Sequence, residues 1–159
     1  MADKRRRVVA LHEAGHAIAA VYLGVKIKTA SIEGGADHAG IVKLKCRLPA
    51  NNITADAGLK HMVIALAGYQ AERRGGYRTA REEWAHDRWC AAEYALRIGT
   101  AEEGTLFMRI AEMRARNLIE WRWPAVLSIA DALEREKTLS GLDVMRIATA
   151  ALRSTIASA

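Results

Sequence analysis

A chain of 159 residues is long enough for one domain with a buried core, and 51% hydrophobic with 26% charged residues excludes a disordered or low-complexity chain. The net charge of +6 favours acidic surfaces, but the basic residues are spread out, and the denser stretches (Arg73-Arg74, Arg78 to Arg81, Arg114 to Arg116) alternate with acids or helical neighbours, as a solvated face does. Two cysteines, Cys46 and Cys90, are too few for a disulfide framework or a cysteine zinc cluster, so they read as small core residues in a reducing compartment.

Lys4-Arg5-Arg6-Arg7 followed by Val8 to Val25 imitates the charged and apolar parts of a secretory signal. His12, Glu13 and His16 interrupt it, and no run of about 18 apolar residues follows, so a cytoplasmic protein without a membrane span is expected. The first helix should run from about Asp3 to Leu23 and stop at Gly24. Its apolar residues go nearly all the way round, which predicts a central, buried helix.

That helix carries His12-Glu13-Ala14-Gly15-His16. Residues four apart on a helix lie one above the other, so the two imidazoles can reach one Zn²⁺ while Glu13 points at water on the same cation. With five His in the chain, chance places this H-E-x-x-H pattern somewhere with a probability of roughly 1%, so it reads as chemistry.

Val25 to Glu33 and Ile41 to Arg47, rich in Val and Ile, predict a β-hairpin across the glycine-rich loop from Gly34 to Gly40. From Ile53 the pattern is helical. Thr79 with Glu82, Thr100 with Glu103 and Ser140 with Asp143 each resemble a capping box, and Pro124 suits a first turn. Helices are expected near 53–73, 80–98, 101–121, 124–137 and 141–157, with Gly75-Gly76 as a flexible joint. The fold class is mainly α (α+β), one domain over 1–159, with a small hairpin or sheet after the zinc-binding helix. The closeness of Met1 to that helix suggests a free-standing domain.

A catalytic zinc takes three protein ligands and leaves one position open, so His12 and His16 need a partner. Trp84, Asp87, Ala91, Tyr94 and Ile98 recur at helical spacing, which places Asp87 inside an apolar seam. A buried carboxylate there is either a metal ligand or the partner of an arginine such as Arg88 or Arg97. His86 points about 100° away on the same helix. His38 in the glycine loop and His61 on a helix face read as solvent-exposed or core histidines rather than as ligands. Glu72 shares a stripe with His61, Ala65 and Gly68, whose small members admit a neighbouring helix; it either hydrogen-bonds a ligand histidine or lies exposed at a helix end.

These residues resemble the zinc peptidase domain of the FtsH-type ATP-dependent metalloproteases. The likeness covers almost the whole chain: His12 to Ala17, the β segment Lys28-Thr29-Ala30-Ser31-Ile32, the helix Leu66-Ala67-Gly68-Tyr69-Gln70-Ala71-Glu72, Asp87 with the Ala-rich helix after it, and the closing stretch Ala130 to Gly141. The resemblance implies Asp87 as third zinc ligand, a zincin-like helical peptidase fold, and assembly into homo-oligomeric rings. The sequence departs from the family at Arg73, where an acid is usual, at Trp84 and His86, where small polar residues are usual, and in the glycine loop. It also has no G-x-x-x-x-G-K-[ST] phosphate loop, so an ATPase or unfoldase would have to be a separate partner.

The function expected is therefore a zinc metalloendopeptidase acting on unfolded polypeptides or peptides, with Glu13 as general base and then general acid, and with an extended substrate added to an edge strand, for which Val25 to Glu33 is the candidate. The rival is a basic helical module that binds nucleic acid or an acidic partner through residues 4–7 and the Arg-rich helices; it leaves the zinc pattern and Asp87 unexplained. A catalytically silent, peptidase-like scaffold subunit is the third reading.

Overall fold

Helix α1 (Ala2–Tyr22) is the spine of the molecule, and from Ala10 to Ala20 only His12 keeps appreciable contact with solvent. The computed structural model describes residues 2–34, 40–45, 48–49, 53–78 and 84–157. Among these, α1 is followed by β1 (Ile27–Ser31), β2 (Ile41–Leu44), α2 (Ala55–Arg74), α3 (Ala85–Ile98), α4 (Ala101–Trp121), α5 (Trp123–Glu136), β3 (Thr138–Ser140) and α6 (Gly141–Ala157). The class is mainly α with a small antiparallel sheet, as the hydrophobic periodicity predicts. No helix among the described residues is long and apolar enough to cross a membrane.

The helix boundaries follow from local chemistry. Gly24 (φ 71°) ends α1: its N–H donates to the Val21 carbonyl and that of Val25 to the Ala20 carbonyl, a left-handed turn that a Cβ would strain. Gly76 (φ 82°) ends α2 in the same way: its N–H donates to the Arg73 carbonyl and that of Tyr77 to the Glu72 carbonyl, so the Gly75-Gly76 pair forms a hydrogen-bonded helix stop. Thr54 caps α2. Thr100 and Glu103 close a reciprocal box on α4, Ser140 and Asp143 do so on α6, and Pro124 sits in the first turn of α5. Each such cap contributes about 1 kcal/mol. The Thr79–Glu82 box lies outside the described residues, as do His38 and Cys46.

The sheet order is β2-β1-β3. β1 pairs antiparallel with β2 (Ala30 opposite Val42) and with β3 (Ala30 opposite Leu139). The hairpin is present, but the expectation that Val25 to Glu33 offers an edge to substrate is wrong: β1 is the central strand and its ladder is taken up on both sides. A three-residue strand carries too little alternation to be seen in sequence, which is why β3 was not expected there.

Helix α1 packs most extensively on α2 and then on α5. The α1–α2 approach rests on small residues, since a Cβ on Gly15 would lie 2.6 Å from the Ala67 carbonyl oxygen and 2.8 Å from the Ala71 Cβ. Arg7 ties α1 to α5 through Asp131 and Glu134, both at 2.6 Å. The buried side chains Leu11, Ile18, Met62, Ile119, Ile129 and Leu133 form the core around this spine.

Candidate metal centre

Three helices bring their polar side chains to one point. The Nε2 atoms of His12 and His16, one turn apart on α1, lie 2.8 Å from each other. Asp87, in the first turn of α3, places Oδ2 2.9 Å from His12 Nε2 and 3.4 Å from His16 Nε2. Helix α2 backs the pair at Gly68, where a Cβ would stand 2.6 Å from His16 Nε2 and 2.7 Å from His12 Nε2; only hydrogen fits.

The rings are fixed from behind. His12 Nδ1 donates to Glu72 Oε1 at 2.6 Å, and His16 Nδ1 donates to the Ile64 carbonyl at 2.7 Å. A carbonyl can only accept, so the proton of neutral His16 is on Nδ1 and the Nε2 lone pair faces the cluster. The same holds for neutral His12 beside the Glu72 carboxylate. Two nitrogen lone pairs and a carboxylate oxygen thus converge, an arrangement that is repulsive unless a positive charge lies among them.

The donor set suits a divalent cation of the zinc type. Bonds of about 2.0–2.1 Å in a tetrahedron set donor atoms about 3.3 Å apart, close to the separations of 2.8 to 3.4 Å found here. His12, His16 and Asp87 are the one such group of potential metal-binding side chains among the described residues.

Without a cation the cluster holds a proton. Burial works against protonation of His12, but the carboxylates of Asp87 and Glu72 overrule it and push its pKa up to about 10. His16 is also raised: burial and the neighbouring His12 oppose this, and Asp87 prevails. For Asp87 burial favours the neutral acid, yet the two imidazoles hold it well below the usual carboxylate range. The surroundings therefore select positive charge at the focus of the three side chains.

Glu13 is buried beside them at 4% exposure. Gly40, immediately before β2, lies against its carboxylate; a Cβ there would be 2.7 Å from both Glu13 Cγ and Oε1. Glycine at 40 leaves the room that Glu13 occupies.

Of the alternatives left open by the sequence, no arginine pairs with Asp87 among the described residues: Arg88 bonds Glu112 and Arg97 donates to the Pro49 carbonyl. His61 is a core histidine against Tyr94, its pKa lowered by burial and by Arg97, and His86 is exposed beside Cys90 and Trp89. Neither joins the cluster. Three contributors were not anticipated. The Ile64 carbonyl has no sequence signal, since any residue supplies one. Gly40 is indistinguishable in sequence from Gly34 and Gly35. Tyr69, which stacks on Trp84 at 4.2 Å, follows Gly68 directly and could have been sought as an aromatic partner for Trp84.

No model of a known protein family matches the chain, and no curated protein matches it.

Proposed function

We propose that the chain is a zinc-dependent endopeptidase of the FtsH-like type, acting on unfolded polypeptides or peptides in the cytosol. The observation that carries this reading is the convergence of His12, His16 and Asp87 beside the buried carboxylate of Glu13. Zn²⁺ held there would supply Lewis acidity, polarising the scissile carbonyl and making water acidic enough to be deprotonated near neutral pH. Glu13 accepts that proton and returns it to the leaving amine. Glu72 and the Ile64 carbonyl keep the two imidazoles turned so that each presents Nε2.

The outer edge of β2 is the better place for an extended substrate than the one expected from sequence. Among the described residues β2 pairs with β1 alone, and its leading residue, Ile41, follows directly on the Gly40 that touches Glu13. A peptide strand added there runs past the general base with its backbone N–H and C=O groups satisfied by β2. Assembly into a homo-oligomeric ring, and an ATPase partner that unfolds substrate, belong to the same proposal and rest on the family resemblance.

The test is metal content followed by casein cleavage. Zinc in the purified protein, with cleavage by wild type that falls at least about 10³-fold in Glu13→Gln, supports the reading. Equal cleavage by both proteins rejects Glu13 as base, and bound zinc with no cleavage by the assembled protein assigns the chain to a silent scaffold.

A further inference from the structure

Away from the metal centre, the end of α1, the start of α2 and the end of α4 enclose a cleft of about 320 Å³. It shares no residue with the zinc cluster: Tyr22, on its wall, lies six residues past His16, about 9 Å further along the helix. We propose that this cleft binds a small amphipathic carboxylate, with an apolar body of roughly eight carbons, as an acyl or aryl acid.

Two features of the lining select that chemistry. Leu59, Val63, Leu118 and Trp121 give an apolar wall. Trp121 is 75% exposed, an indole left in water at the cleft although its helix buries Ala115 and Ile119. Lys60, Arg114 and Arg122 supply three cations, and no acid belongs to the lining. Lys60 is held by Asp56 at 2.7 Å, and the Arg122 guanidinium lies 4.2 Å over the Tyr22 ring. Among the described residues neither Arg114 nor Arg122 has a carboxylate partner. The buried Tyr22 hydroxyl also lacks a hydrogen-bond partner among the described residues.

An apolar lining together with two arginines that no carboxylate neutralises among the described residues fits a molecule with a single carboxylate on a hydrocarbon body. A peptide fits less well, because each of its backbone amides needs a partner and the neutral polar side chains of the lining are Asn117, Tyr22 and the indole N–H of Trp121. The volume lies at the low end of the range of about 300–1,000 Å³ for ligand clefts, which limits the body to a short chain or one ring system.

Titration calorimetry of the full chain with octanoate, octanol and octylammonium tests this, with Trp121 fluorescence as a second readout. The expected result is one saturable site for octanoate, bound at least about tenfold more tightly than either analogue. Arg114→Gln and Arg122→Gln should each weaken it about tenfold, and Leu59→Trp should abolish it by filling the cleft. Arg114 is a surface residue, so its variant keeps the test valid should Leu59→Trp fail to fold. Equal binding of octanol, no saturation by octanoate up to about 1 mM, or indifference to both arginine variants overturns the proposal. So does a leucine-terminated peptide that binds more tightly than octanoate, or dimerisation of the chain that octanoate fails to disrupt.

Discussion

Trp84 lies nearly flat on Tyr69, with ring centroids 4.2 Å apart and planes 21° from parallel. Trp84 is the N-cap residue of α3, without a side-chain cap hydrogen bond, three residues before Asp87, and Tyr69 follows the Gly68 that touches both imidazoles. The stack thereby fixes the helix that carries the carboxylate to the helix that backs the histidines. Arg88 over Trp84 and Arg73 over Tyr69 flank it.

An aromatic pair of this kind contributes about 0.5–1.5 kcal/mol. If that energy positions Asp87, Trp84→Ala weakens zinc binding about three- to tenfold in a chelator competition, and Trp84→Phe restores it. Loss of thermal stability with unchanged zinc affinity would assign the stack to packing alone.

The Glu72–His12 hydrogen bond has a larger expected effect, because it sets both the tautomer and the orientation of the His12 ring. Glu72→Gln should retain the fold and lower zinc affinity about 10- to 100-fold. An affinity within twofold of wild type would show that Glu72 is a bystander.

The metal-free protein should depend on pH in a defined direction. His12 has a pKa of about 10 in the folded chain against an ordinary 6.5, so its contribution to stability is complete below about pH 6.5 and is lost as pH rises through 10. Asp87 is held below its ordinary 3.8 and contributes above that value, losing its effect as pH falls. The urea midpoint of the metal-free chain should therefore decline between about pH 7 and pH 10. Zinc bound at the proposed site would displace the His12 proton, so its affinity should rise across the same interval and binding should release a proton, measurable as a buffer-dependent heat. A flat urea midpoint, or no proton release, contradicts the electrostatics described here.

Much of this was legible in the chain itself. The H-E-x-x-H pattern, the helical seam through Asp87 and the caps at Thr100 and Ser140 are local signals, and each lies where its spacing placed it. Glu72 was recognisable because a small-residue stripe on α2 implied a neighbouring helix, and Gly68 is where that helix arrives. What escaped was non-local. Nothing in Thr138 to Ser140 announces that it pairs with β1, and that pairing is what makes β1 central and moves the open edge to β2. The Ile64 carbonyl and the Gly40 contact likewise depend on which backbone meets which side chain, a property of tertiary packing.

X-ray absorption and metal stoichiometry of the zinc-loaded protein, with Asp87→Ala beside wild type, address the central claim most directly. One zinc per chain is expected, coordinated by two imidazoles and by oxygen without sulfur, with affinity lost in Asp87→Ala. Undiminished zinc in that variant, or a single imidazole or any thiolate among the ligands, would contradict it.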